Sequence, residues 1–322
     1  MPPPQTLYRL ITAVTLGLLS TGATFAADAE QAPLAANSLL LDGQVVDNRL
    51  VAVGERGHIL VSSDAGISWQ QRPAPTRATL TSLFFTDPRH GWAAGHDAVI
   101  LRTTDGGTSW QKVHEDFASG PVLDLWFRDA ATGFAVGAYG LLLATTDGGT
   151  TWEDTRLPAA DGADLDLHLN HLAAFADGRL VLATEAGQLY LGGNRRPWRR
   201  LHLPYQGSMF GTLPLGGDRL LAFGLRGHLF LSPDAGRNWS AVATGTEATL
   251  TEAIRLRDGR IVVVGMAGTV LVSRDDGRQF TLIQQADRAG IARVLEAADG
   301  TLILLGAQGA RRLALPPAGG TP

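Results

Sequence analysis

Residues 103–110 read TTDGGTSW and residues 145–152 read TTDGGTTW, and weaker copies follow the same plan: SSDAGISW (62–69), SPDAGRNW (232–239) and SRDDGRQF (273–280). The anchoring aspartates Asp64, Asp105, Asp147, Asp234 and Asp275 stand 41, 42, 87 and 41 positions apart, so the wide step conceals one altered copy. A chain with a fixed period in this range is built from identical supersecondary units, and that decides its architecture before any local propensity does.

Each unit reads as four short apolar runs separated by glycine-rich turns, as in Leu80–Phe85, Gly91–Gly95, Val99–Arg102 and the run opened by Trp110. Four such runs make an antiparallel meander. One meander cannot bury both of its faces, so copies must stack against one another. Beyond the first 26 residues no segment sustains an apolar period of 3.6, which excludes a helical repeat. A Gly-x-x-Gly turn between the second and third runs counts the units. It occurs at 54–57, 137–140, 224–227, 265–268 and 306–309, and in altered form at 95–98 and 184–187. Seven units of four strands predict an all-β, seven-bladed β-propeller of four-stranded antiparallel blades.

The box itself reads as scaffold. An aspartate in a tight turn accepts hydrogen bonds from backbone N–H groups two residues on, and the glycine that follows supplies a positive φ. The closing tryptophan carries apolar surface into the gap between neighbouring blades. Asp64, Trp69, Asp105, Trp110, Asp147, Trp152, Asp234, Trp239 and Asp275 are therefore expected to be structural. The box is degenerate in the fourth copy (LGGNRRPW, 191–198) and absent from the seventh, which also lacks a fourth run. A step of 41 back from Trp69 lands on Asp28, so residues 28–34 are expected to supply the missing outer strand of the last blade.

The ends and the composition bound the class. Arg9 and the apolar stretch 10–19, followed by small residues up to Ala26, read as a cleavable secretory signal over residues 1–26. The propeller then spans 27–315, and 316–322 form a Pro/Gly tail expected to be disordered. There is no cysteine, which excludes disulfides, thiolate chemistry and a lipidated cysteine. A net charge of −4, with Lys112 the only lysine, gives no footprint for nucleic acid. No apolar run after the signal is long enough to span a bilayer, so no direct membrane insertion is expected once the signal is cleaved.

The face bearing the Gly-x-x-Gly turns and the links between blades is the candidate binding face. It would present Arg56, Arg77, His96, Asp97, Tyr139, Tyr205 and Arg226, with Phe117 as a further aromatic. The longest link, 158–171, sets Asp164, Asp166 and His168 in alternation, the weak candidates for a divalent metal. No cofactor motif is present.

The S/T-x-D-x-G-x-T/S-W pattern is the Asp-box, or BNR repeat. The fuller units FTDPRHGWAAGHDAVILRTTDGGTSWQKV (85–113) and FRDAATGFAVGAYGLLLATTDGGTTWEDT (127–155) resemble the photosystem II stability/assembly factor-like family over roughly residues 38–313. That resemblance implies an exported, periplasmic or otherwise extracytoplasmic propeller that binds or assembles a membrane-protein complex without catalysing a reaction. Arg102 matches an arginine that blades of the family often carry before the box; Val61, Ala144, Leu231 and Val272 depart from it. The alternative is a sialidase-like glycoside hydrolase of the BNR class, which needs a tyrosine nucleophile, an acid/base aspartate and an arginine cluster. Tyr139, Tyr190 and Tyr205 are the tyrosines available, but the Arg-Ile-Pro segment of sialidases is missing.

Overall fold

The computed structural model describes residues 27–157, 166–193 and 196–316. The predicted leader, Asp164 and the tail beyond Pro316 lie outside them. The described strands form seven antiparallel sheets, six of four strands and one of three, each in simple meander order. Blade one comprises Leu40–Val46, Arg49–Gly54, Ile59–Ser62 and Gln70–Arg72. The inner strands of successive blades pack against each other, and that of blade one packs against Ile291–Glu296 of blade seven, so the ring is closed.

The apolar residues sort into seven clusters, one at each interface between neighbouring blades. Between blades one and two, for example, Val51, Val53, Ile59 and Val61 meet Leu83, Phe85, Leu101 and Trp110. The second strand of every blade is buried on both faces, as in Ile261–Gly265 and Leu302–Gly306, which explains its unbroken apolar sequence. The stacking demanded by two greasy faces per meander is met in a circle.

The Asp-box fixes one end of the five blades that carry it. In blade one Ser62 Oγ donates to Asp64 Oδ1 (2.8 Å) and accepts the Gly66 N–H (2.9 Å), while Asp64 accepts the Ser68 N–H (2.9 Å) and Ser68 hydroxyl (2.6 Å). The aspartate thus reaches residues three and four ahead rather than two, and the preceding hydroxyl closes the inner loop. Gly66, Gly107 and Gly149 all have φ near 80°, where a side chain is strained. The box then receives a bond from the blade before it. In four boxes the carbonyl after the aspartate accepts Arg312 at Ala65 (2.8 Å), Arg49 at Gly106 (3.0 Å), Trp92 at Gly148 (2.9 Å) and Arg219 at Asp276 (2.9 Å). The first of these pins blade seven to blade one.

The hydrogen bonds from Ser68 and Thr151 hold Asp64 and Asp147 down at a pKa of about 2. A carboxylate depressed in the folded state stabilises it above the unfolded value of 3.8 and loses that contribution as pH falls toward 2. Asp147→Asn is therefore expected to flatten the loss of thermal stability between pH 4 and about 2, read by melting curves at stepped pH. An unchanged acid slope would remove the assignment.

The last blade departs from expectation. It has three strands, Ile291–Glu296, Leu302–Gly306 and Gly309–Leu313, and residues 28–34 do not form a fourth. They lie instead against blade one. Ala29 N–H donates to Ala74 O (2.9 Å), Gln71 bonds both Ala32 N and Glu30 O (2.8 Å each), and Arg77 holds Asp28 O (3.0 Å) and Glu30 (2.6 Å). Gln71 and Arg77 supply side-chain partners that a sheet edge would otherwise supply through backbone, and Pro33 has no N–H to offer a ladder.

Candidate binding face and the charged ring beneath it

In every blade the Gly-x-x-Gly turn is tied to the link that enters that blade's own inner strand. The residue after the first glycine position donates its N–H to a link carbonyl: Glu55 to Leu39, His96 to Thr79, Ala138 to Pro121, Glu185 to His168, Leu225 to Ser208, Met266 to Thr249 and Ala307 to Gly290. The second glycine lets the link to the next blade pass close: a Cβ on Gly57 would sit 2.1 Å from Thr76 O, and one on Gly187 1.7 Å from Tyr205 O. Between them, Arg56, Asp97, Tyr139, Ala186, Arg226 and Ala267 are held at φ of 53–59°. A left-handed non-glycine residue is costly, and here the same position repeats around the ring with its side chain pointing outward.

Four of the predicted face residues, Arg56, Asp97, Tyr139 and Arg226, occupy this one position, and all are exposed. His96 is exposed beside Asp97. Arg77 is exposed but engaged by the N-terminal segment. Together with Arg56, His58 and Glu30–Pro33 it lines a cavity of about 440 Å³. Tyr205 turns inward: its ring stacks on His228 at 4.0 Å, its hydroxyl donates to Leu225 O (3.3 Å), and it packs on the core between blades four and five. Tyr139 (67% exposed), on blade three, and Phe117 (68%), in the link from blade two to blade three, are the large aromatics left open among the described residues. Tyr139 also borders a cavity of about 520 Å³ with Ser119, Gly120, Arg156, Leu157 and Asp166.

Of the metal candidates, His168 faces Glu185 (Nδ1 to Oε1, 3.3 Å) and meets the Tyr139 ring edge-on at 5.3 Å. Asp166 is on the wall of the Tyr139 cavity. Among the described residues no group of three or more His, Asp or Glu side chains could hold a metal ion. The Tyr190 hydroxyl donates to Gln188 (2.7 Å), so neither it nor Tyr205 is paired with a carboxylate.

A second constellation lies at the centre of the ring. Each inner strand carries a β-bulge near its start, which turns its third residue out of the strict alternation. Those residues are Asp42, Ser82, Asp124, His171, Gly211, Glu252 and Arg293. Asp42 accepts the Leu83 N–H of the next blade (2.6 Å). Ser82 accepts that of Leu125 (3.0 Å) and donates to Asp124 (2.9 Å), and Asp124 accepts that of Leu172 (2.7 Å). Arg293 closes the circuit: it reaches Glu252 of blade six, Asp42 of blade one (3.1 Å) and Gly43 O (3.2 Å). Burial, partly countered by Arg293, raises Asp42 to about 6. Arg293 is disfavoured by its own burial but more strongly held in its charged form by Asp42 and Glu252. Two carboxylates share one guanidinium, and both ion pairs run between blades. The spacing of these polar residues, one inside an apolar run of every unit but the fifth, is the signal available in the sequence.

Tips locked at one backbone position, a closed core and an inward set of charges define a rigid display scaffold. A family model described as photosynthesis system II assembly factor YCF48 matches residues 24–121 and 115–294, and the chain belongs to that family. Among characterised relatives, the chloroplastic photosystem II stability/assembly factor HCF136 of Cyanidioschyzon merolae is 39% identical over 54 residues, covering 16% of this chain and 12% of the relative. The photosystem II assembly lipoprotein Ycf48 of Synechocystis sp. is 42% identical over 45 residues, 14% and 13% of the two chains. These matches span only about an eighth of each relative. A solved structure described as YCF48 bound to D1 peptide superposes with a TM-score of 0.69 at 20% identity, covering 91% of this chain and all of that one; at that identity it shows the shared fold.

Proposed function

We propose that this protein is a non-catalytic, extracytoplasmic scaffold that holds a segment of a membrane-protein complex during its assembly. The observation that carries the reading is family membership across both halves of the ring, in a fold whose exposed tips are fixed by backbone bonds in every blade. The neighbour described as YCF48 bound to D1 peptide supports a polypeptide as the ligand class. Pre-set tips lower the ordering cost of binding. Tyr139 and Phe117 supply the aromatic surface that anchors interfaces, with Arg56 and Arg226 on the same face for charged contacts. No described helix is long and apolar enough to cross a membrane, consistent with docking to a complex rather than joining its bundle.

A photo-crosslinking amino acid at Tyr139 and, separately, at Arg226 is expected to capture a membrane-embedded subunit in the native host. The same residue at Asp258, on the opposite face, is expected to capture none. Equal capture from both faces, or none from either, would sink the proposal. The purified protein is expected to leave a fluorogenic sialoside unhydrolysed; turnover above a Tyr139→Phe control would favour the glycosidase alternative.

A further inference from the structure

Six of the seven interfaces between blades contain an aromatic side chain at the box position of the later blade: Trp69, Trp110, Trp152, Trp198, Trp239 and Phe280. The seventh, between blades six and seven, is aliphatic throughout. A groove of about 630 Å³ opens there, lined chiefly by Val272, Leu282, Ile283, Leu313 and Leu315.

Internal alignment identifies what the groove lacks. Val272 stands three residues before its box aspartate, as Val61 does, and Val61 belongs to the cluster that receives Trp110. Arg260 stands fifteen residues before its box aspartate, as Arg49 does. Arg49 binds the carbonyl of Gly106 in the next blade's box, and Arg260 binds that of Pro316 in blade seven (2.9 Å). The chain therefore follows the path of a box as far as Pro316. In the sequence, Pro-Ala-Gly-Gly-Thr-Pro follows, and Gly320, four residues on from the bonded carbonyl, falls where the other blades have tryptophan or phenylalanine. Among the described residues, Gly309–Leu313 pairs with Leu302–Gly306 on one side only. The segment at 28–34 has no aromatic and is bound to blade one.

We infer that this groove is a docking site for an extended segment of another polypeptide, which lies along Gly309–Leu313 as a fourth strand and seats an aromatic side chain between blades six and seven. A strand edge with no neighbouring strand among the described residues selects an extended backbone. The pocket beside it selects the aromatic, because the same walls close on one in the other interfaces. The inference rests on the scaffold reading only in taking the occupant to be a partner polypeptide.

The test uses the full chain and, as probe, a fluorescein-labelled peptide with the chain's own second-blade sequence Gly-Gly-Thr-Ser-Trp-Gln-Lys-Val-His (residues 106–114), against its tryptophan-to-alanine twin. Fluorescence anisotropy is expected to show saturable binding of the tryptophan peptide and at least about tenfold weaker binding of the twin, the loss of one buried aromatic anchor. Leu315→Trp, which fills the groove from within, is expected to weaken the tryptophan peptide by a similar factor. Thr281→Trp, on the exposed opposite wall, gives the same reading if the first variant does not fold. Equal affinity for both peptides, or no saturation by about 1 mM, would overturn the inference. So would a stable dimer by sedimentation that Leu315→Trp dissolves, since a second copy would then be the occupant. None of these outcomes changes the result expected from crosslinking at Tyr139.

Discussion

The Arg293→Met protein is expected to melt far below the parent at neutral pH. Among the described residues the guanidinium is the only cation bonded to both Glu252 and Asp42, and these two carboxylates are each 7% exposed. Removing one partner from a buried ionic cluster leaves uncompensated charge and costs roughly 3–5 kcal/mol. For a domain of this size that is roughly 5–8 °C in Tm. The pH dependence carries the distinctive sign. Asp42 titrates near 6 when folded against 3.8 for the free side chain. Between those values the native state binds more protons than the unfolded state, so Asp42 makes stability fall as pH rises through that window. Without Arg293 the carboxylate is pushed further up, and protonation relieves more of the penalty. The gap between variant and parent should therefore narrow from pH 8 to pH 5. A gap that stays constant would mean that Arg293 contributes packing rather than charge.

A second large effect is expected at Trp92. Its indole is fully buried, stacks on Phe127 at 3.6 Å, and donates to Gly148 O in the box of blade three. Trp92→Ala combines loss of a large core side chain, roughly 3–5 kcal/mol, with an unpaired buried carbonyl. Trp92→Phe keeps the stack and loses the hydrogen bond, so a cost of about 1–3 kcal/mol is expected. Denaturant melts of Trp92→Ala, Phe127→Ala and the double variant should be non-additive, because the two rings share one contact. Additive costs would show that the stack joining blades two and three carries little of the stability.

The repeat made most of the fold legible. Gly-x-x-Gly turns counted the blades, and the boxes marked where each blade meets its neighbour, because local backbone chemistry must be satisfied within a few residues. Properties that depend on closure were hidden. Asp42 and Arg293 are 251 positions apart and touch only because the ring brings blade seven against blade one. Read singly, each is a polar residue in an apolar strand; the bulge that turns it inward is a feature of pairing, not of the strand alone. Tyr205 read as a surface link residue, yet its ring finds His228 in the next blade's turn. The outer strand assigned to residues 28–34 failed because Gln71 and Arg77 offered that segment side-chain partners on blade one. On the candidate face, the shared left-handed position of Arg56, Asp97, Tyr139 and Arg226 follows from the turn motif, whereas the exposure of Tyr139 beside an open cavity depends on how blade three packs.

Pulse-labelling of membrane complexes, resolved on native gels in the host with and without this protein, tests the scaffold account most directly. The account predicts that subunits of one membrane complex are synthesised at the normal rate but stall in a smaller assembly intermediate when the propeller is missing. Membrane complexes that mature with unchanged kinetics in its absence would contradict it.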